Sequence, residues 1–220
     1  MTGFKFVSSF LAFAALAAAS SAQSYSAAAA FTDLAAVSGP WAYGYDAGSG
    51  FLTYDVVPMH RDFAGDIKGF EYDDVSGPYL AKNFGAISEG WYNGIVVAPG
   101  QILTHPGNAN HQVRFTSPGA GLFTVSAAMQ MADGGSNTFK LFLNGIQVPG
   151  SSLALAGLGS TASFSTNLNL NPGDQIDFVG YTGLVFQNAM FIDYNVQAVP
   201  EPASFVVLAP ALLFLQRRRK

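Results

Sequence analysis

The chain has 220 residues, half of them hydrophobic, which is enough for one ordinary domain with its own core plus terminal appendages. It contains no cysteine, which excludes disulfides and thiolate metal sites, and only 11 % of its residues are charged. Between residues 23 and 199 there are thirteen acidic and five basic residues, and this balance argues against nucleic acid or anionic lipid as a partner.

Residues 1–22 have the pattern of a secretory signal peptide. Lys5 supplies the positive charge near the start, residues 6–19 are uncharged and mostly apolar, and small residues precede Gln23. We therefore predict export and cleavage by signal peptidase before Gln23. The alternative is a buried core helix.

Residues 23–30 form a low-complexity Ala/Ser stretch that predicts a flexible segment, and residues 31–198 are predicted to be the folded domain. No window of this domain keeps a helical period, whereas several alternate with period two. In residues 122–131 the apolar side chains fall on every second position, which predicts a half-buried strand. Asn144-Gly145 separates two further strands and predicts a two-residue hairpin turn.

Short strands bounded by turn residues continue through the domain. They predict an all-β fold, namely a two-sheet β-sandwich of jelly-roll type, with an up-and-down barrel as the alternative. The other predicted strands are residues 41–45, 51–57, 101–104, 112–116, 139–143, 146–148, 163–170, 175–181 and 189–196.

The last residues, 199–220, fall into three parts. Pro200-Glu201-Pro202 predicts a stiff extended segment, residues 203–216 are apolar apart from Ser204 and Gln216, and Arg217, Arg218, Arg219 and Lys220 close the chain. As a short C-terminal hydrophobic helix, residues 203–216 would span about 21 Å, against about 30 Å for a bilayer core. The basic end is expected to stay on the cytoplasmic side.

This order of Pro200-Glu201-Pro202, an apolar run and Arg217-Arg218-Arg219 resembles the PEP-CTERM sorting signal. The resemblance implies recognition by an exosortase, transient contact with the inner membrane, and delivery to the cell surface or extracellular matrix of a producer of polysaccharide. An ordinary membrane anchor that is never processed is the alternative.

A second resemblance covers residues 105–178, which look like a jelly-roll-like domain common in exported PEP-CTERM proteins. It rests on His105-Pro106-Gly107, residues 113–121, Phe123-Thr124-Val125, Leu143-Asn144-Gly145 and residues 172–178. Similar strand patterns occur in carbohydrate-binding modules, so the resemblance implies a fold and, by analogy alone, polysaccharide binding.

Trp91, Tyr92 and Trp41 are the candidate sugar-binding residues, because exposed aromatic rings stack on the apolar faces of sugars. Packing in or at the rim of the core is the alternative for each of them. Asp73 and Asp74 are weak calcium candidates in an acidic region that fits no calcium-loop pattern, so a solvated loop is favoured.

No nucleophile elbow, phosphate loop or paired metal-binding histidines occur, and His105 is expected to order the turn at Pro106. We predict no cofactor and no catalytic site. The first functional hypothesis is a non-catalytic surface or matrix protein that binds polysaccharide. The alternatives are a purely structural coat or floc component, and a polysaccharide hydrolase that uses Asp73, Asp74 or Glu89.

Overall fold

The computed structural model describes residues 22–48, 50–54, 59–71, 78–91, 94–107, 109–181 and 188–200, with the backbone alone for residues 59–64. Strands dominate this part of the chain, and one short helix precedes the second strand. The elements are β1 Ser24–Ser26, α1 Ala27–Ala30, β2 Val37–Ser38, β3 Trp41–Asp46, β4 Phe51–Thr53, β5 Met59–Ala64, β6 Ile67–Glu71, β7 Tyr79–Asn83, β8 Glu89–Gly90, β9 Val96–Val97, β10 Ile102–His105, β11 Asn110–Thr116, β12 Gly121–Met131, β13 Ser136–Leu143, β14 Ile146–Gln147, β15 Leu153–Ala156, β16 Thr161–Leu170, β17 Gln175–Tyr181 and β18 Met190–Ala198.

Two large antiparallel sheets make the fold. The first has the order β16-β12-β18-β10-β7-β6-β5, with β1 also beside β18. The second has the order β14-β13-β17-β11-β3-β2, with β15 beside β13 and β4 beside β3. From β10 onward the chain passes back and forth between the sheets, except that β13, β14 and β15 all belong to the second, and this gives β16-β12-β18-β10 in one sheet and β15-β13-β17-β11 in the other. That strand order is a jelly roll, so the predicted sandwich is confirmed.

The core lies between the two sheets, where the inward side chains of period-two strands meet. Phe178 of the second sheet stacks on Tyr194 of the first, with ring centroids 4.5 Å apart. Trp41 lies 5.1 Å from Phe115 and 5.9 Å from Phe178. These rings are fully buried, and the contact between Phe178 and Tyr194 joins the two sheets face to face.

A second, smaller apolar cluster covers part of the outer face of the first sheet. Val97 and Ile95, from the segment between β7 and β10, pack over Ala81, Leu103 and Ile67 of the sheet. The outer face of β10, β7 and β6 is therefore covered, whereas β16, β12 and β18 keep a solvent-facing side.

The prediction that residues 23–30 are flexible is wrong. β1 pairs with β18 from Ser24 to Ser26, and Ala27 at the start of α1 is only 1 % exposed. The Tyr43 hydroxyl donates to the Ala27 carbonyl at 2.6 Å, and the Tyr25 ring lies 5.2 Å from a core phenylalanine. Small Ala and Ser side chains fit against the sheet edge without crowding it, so low complexity here accompanies close packing.

Most of the predicted terminal segments lie outside the described residues. This applies to residues 1–21 and to the sorting residues Glu201, Pro202, Arg217, Arg218 and Arg219, whereas Pro200 is described and exposed. Within the described ranges, no helix has the length and apolar character needed to cross a membrane.

Candidate functional site

The outward side chains of β16, β12 and β18 form an extended polar surface on the first sheet, which we call the polar face. Alternate residues of each strand point away from the core, and antiparallel pairing places them in rows across the three strands. The rows, from β16 through β12 to β18, are Asn167–Thr124–Gln197, Ser165–Ser126–Asn195, Ser163–Ala128–Asp193 and Thr161–Gln130–Phe191.

The polar face consists mainly of hydroxyl and amide groups, which can both donate and accept hydrogen bonds. Two contacts orient its members: the Thr124 hydroxyl lies 2.8 Å from Asn167 Oδ1, and Asn195 Nδ2 donates to Asp193 Oδ1 at 2.8 Å. Asp193 is the single ionisable residue in the four rows. The surface therefore suits an uncharged ligand rich in hydroxyl groups.

A groove of about 700 Å³ lies at one end of the polar face. Its floor is formed by Ala128, Gln130, Thr161 and Ser163, with Phe191 and Asp193 of β18 beside them. The turn at residues 98–101 and Ala28 of α1 form the opposite wall. This volume falls within the usual range for small-ligand sites, about 300–1,000 Å³.

Asn83 fixes the wall of the groove. Its buried amide donates to the carbonyls of Ile87 and Val97, both at 2.8 Å, and its Oδ1 accepts from Gly85 N at 2.8 Å. The Gln101 side chain in turn accepts from Ala98 N at 3.0 Å. The Asn83 backbone also bonds to this turn, since its carbonyl accepts from Gly100 N at 2.8 Å and its N–H donates to the Gln101 carbonyl at 3.2 Å. A wall held in this way by the protein itself loses less entropy when a ligand binds.

The predicted sugar-binding residue Trp91 lies in the covered half of the sheet. Its ring is half-buried against the second apolar cluster and 5.6 Å from the ring of Tyr79. Phe191 packs against the same cluster and also lines the groove, so it joins the two regions. Phe191 is therefore the aromatic side chain that the structure places at the groove.

Trp41 requires a correction. Its side chain is 1 % exposed and packs between core rings, so it presents no face to a ligand at the surface. Trp41 is buried because alternate residues of β3 point into the core, and Trp41, Tyr43 and Tyr45 share that inward side. Tyr92 lies outside the described residues.

The structure gives no support for a calcium site or a catalytic site at the acidic candidate residues. Asp73 and Asp74 lie outside the described residues, and Glu89 is half-buried with its carboxylate against Gly65. Among the residues that the structure describes, no group of three or more potential metal ligands is found. His105 Nδ1 accepts from Gly107 N at 3.0 Å, which confirms that this histidine orders the turn at Pro106.

The outer face of the second sheet has a different chemistry. Arg114 makes two hydrogen bonds to Asp177, of 2.6 and 2.9 Å, and its guanidinium lies 4.4 Å from the ring centroid of Phe51. Lys140 lies 4.6 Å from the ring centroid of Tyr181. The charged side chains of β11, β13 and β17 thus lie on the opposite side of the sandwich from the polar face.

No protein-family model matches the chain, and no curated protein matches it. Among solved structures, it is similar to a family 35 carbohydrate-binding module from Clostridium thermocellum, with 14 % identity over 60 % of this chain and 98 % of that one, at a TM-score of 0.34. It is also similar to a Clostridium perfringens structure of CBM51-2 in complex with GlcNAc, with 14 % identity over 53 % of this chain and 26 % of that one, at a TM-score of 0.37. The globular domain of zebrafish complement 1qA protein matches with 16 % identity over 40 % of this chain and 70 % of that one, at a TM-score of 0.31. The chain thus spans about a quarter of the CBM51-2 structure, and similarity at these scores carries no argument about function.

Proposed function

We propose that this protein is an exported, non-catalytic surface or matrix protein whose polar face binds uncharged polysaccharide. One observation carries the proposal: three adjacent strands place hydroxyl and amide side chains in register, beside a groove that is lined by the Phe191 ring. Sugar hydroxyls pair with such groups in both directions, and an aromatic ring provides apolar contact.

The length of the polar face favours a polymer over a single sugar. Four rows of paired residues follow one another along β12, from Thr124 to Gln130. Alternate residues of a strand are about 6.6 Å apart, so four rows extend over roughly 20 Å. Several consecutive sugar units fit along this distance, and each would contact one or two rows.

The proposed route to the surface follows from the ends of the chain. Signal peptidase removes residues 1–22, residues 203–216 hold the protein briefly in the inner membrane, and an exosortase acts near Pro200-Glu201-Pro202. The support for this part of the proposal is the order of the three C-terminal segments. Delivery to a polysaccharide-rich matrix would bring the polar face to its ligand.

Affinity electrophoresis of the exported protein, in gels that contain dextran, β-1,3-glucan, galactomannan or alginate, tests the binding proposal. We expect slower migration in at least one neutral gel and unchanged migration in alginate, since Asp193 disfavours an anionic polymer. Ala128→Lys fills the middle of the groove floor and is expected to weaken binding at least about tenfold. Thr161→Val removes one hydroxyl without changing the shape, and a loss of about two- to tenfold is expected.

Matched controls are available on the other sheet. Ala47→Lys, at an exposed position after β3, and Thr138→Val, on the outer side of β13, repeat the same substitutions away from the groove. Both should bind as the unmodified protein does. The proposal would be overturned if the protein migrated in every neutral gel as it does in a gel without polysaccharide. Equal binding by Ala128→Lys and Ala47→Lys would also overturn it.

A further inference from the structure

Three strands at one side of the sandwich contain no charged residue. Between Lys140 and Asp174 the sequence has no Asp, Glu, Lys, Arg or His, although 11 % of the whole chain is charged. This segment supplies β14 and β15 at the edge of the second sheet and β16 at the edge of the first. We call the surface formed by these three strands the uncharged side.

β16 is an open edge strand. It pairs with β12 through ten consecutive residue pairs, from Gly121↔Leu170 to Gln130↔Thr161, and no other described strand pairs with it. The opposite row of its backbone N–H and C=O groups is therefore directed away from the sheet. Natural proteins protect such edges with lysine, proline, short strands or bulges, because an exposed edge pairs readily with another strand. β16 has none of these protections.

The other edge of the same sheet shows the contrast. The sequence of β5 contains Arg61 and Asp62, and its pairing with β6 shifts register between Asp62 and Ala64. A charged and irregular edge resists pairing with a second strand. Among the strands that the structure describes, β16 is therefore the edge of this sheet without such protection.

Apolar groups accompany the open edge. Phe164 and Leu168, on the inward side of β16, are partly exposed although they pack against the main core. Leu158, in the turn before β16, is 74 % exposed, and Ile146 of β14 is 76 % exposed. A strand added beside β16 would remove apolar surface from water as well as pair its backbone groups.

We propose that the uncharged side binds a second copy of this chain, with β16 pairing antiparallel to β16 of the partner. Antiparallel pairing of identical strands is self-complementary and generates a closed two-fold dimer. Residues 23–199 carry thirteen acidic and five basic residues, so two copies repel each other over most of their surfaces. The uncharged side is where this repulsion is weakest, which favours a second copy at this position.

The dimer joins the two first sheets into one continuous sheet. The polar faces of the copies then lie side by side, and their rows continue from one copy to the other. Formation of the dimer does not depend on polysaccharide binding, so the two proposals stand or fall separately.

Sedimentation velocity of the exported full chain over a range of concentrations tests the dimer. Leu158→Lys is expected to raise the dimer dissociation constant at least about tenfold, because the free energy gained by burying one leucine side chain corresponds to at least about a tenfold change in affinity. Leu34→Lys is the matched control, since Leu34 is 85 % exposed and lies three residues after Phe31, whose ring contacts Phe70 of β6 towards the opposite end of the sheet from β16. Its dissociation constant should not change.

Disulfide trapping provides a second measurement, because the natural chain has no cysteine. Single substitutions from Ser163→Cys to Leu168→Cys place one thiol along β16, and those next to the two-fold axis should form dimers under mild oxidation. Leu34→Cys should not. A single maximum of crosslinking along the strand supports the pairing. A monomer at all concentrations, or crosslinking equal to that of Leu34→Cys at every position, would overturn it, whether or not polysaccharide binds.

Discussion

His111 is a histidine held without charge in the core. It lies on the inward side of β11, is 0 % exposed, and its ring occupies the space that a side chain at Gly180 would fill. Its Nε2 is 3.5 Å from the Tyr194 hydroxyl, and among the described residues its Nδ1 has no hydrogen-bond partner. Burial, with a smaller contribution from the nearby His105, lowers the pKa of His111 from 6.5 to about 3.

The consequence is a loss of stability in acid. Below pH 6.5 the unfolded chain binds a proton at this histidine, whereas the folded chain does not do so until about pH 3. The free energy of unfolding therefore falls as the pH decreases through this window. A pKa difference of three to four units corresponds to about 5 kcal/mol in total, and roughly 3 kcal/mol of it is lost by pH 4.5.

Urea unfolding of the exported protein and of His111→Leu, at pH 7.5 and at pH 4.5, measures this contribution. We expect the unmodified protein to lose about 3 kcal/mol more than the variant between the two values. His105→Gln is the control, because it leaves the buried imidazole in place and should keep most of the pH dependence. If His111→Leu folds poorly, His111→Phe replaces it, since the ring shape is retained. An equal loss of stability in His111→Leu and the unmodified protein would refute the assignment.

Four further predictions concern the fold and the ends of the chain. Asn83→Ala should lower the free energy of unfolding by about 3 kcal/mol, because the buried Val97 carbonyl and the partly buried Ile87 carbonyl and Gly85 N–H lose their partner, and urea titration measures the loss. Arg114→Met should cost about 2 kcal/mol by leaving the buried carboxylate of Asp177 unpaired, and adding Asp177→Val should recover most of it in a double-mutant cycle. Gly180→Ala should lower the melting temperature, because the added methyl group would collide with the buried His111 ring. Combining it with His111→Ala, which removes that ring, should make the effect of Gly180→Ala smaller. The intact mass of the exported protein should correspond to a chain that ends near Pro200, and this mass should increase in an exosortase-deficient strain. A mass that includes the basic tail in both strains would contradict the sorting proposal.

Several strands are predictable from the sequence because each is half-buried, so that apolar and polar side chains alternate along it. The alternation in β12 and β16 indicates their inward and outward sides directly, and Asn144-Gly145 marks the hairpin between β13 and β14. Gly145 has a φ of 79° and Asn144 a φ of 50°, as this turn requires. Local chemistry alone determines these features.

Other elements depended on neighbours distant in the sequence. β1 is three residues long and pairs with the part of β18 that the shorter β10 leaves free, which no property of an Ala/Ser stretch predicts. β6 and β7 are covered on both faces, so their sequences lack a clear alternation. Its residue type alone makes Trp41 a candidate for sugar binding or for packing in the core, whereas the ring of Phe115 on the neighbouring strand decides for the core.

The candidate site shows the same division. Alternation along each strand was sufficient to predict that Ser163, Ser165 and Asn167 share one side of β16, and that Thr124 and Ser126 share one side of β12. Only the sheet order brings these strands together with β18, and only the register places Thr124 beside Asn167 and Gln197. The reason is physical: side-chain direction is a local property of an extended backbone, whereas strand pairing is decided by which apolar faces can be buried together across the whole chain.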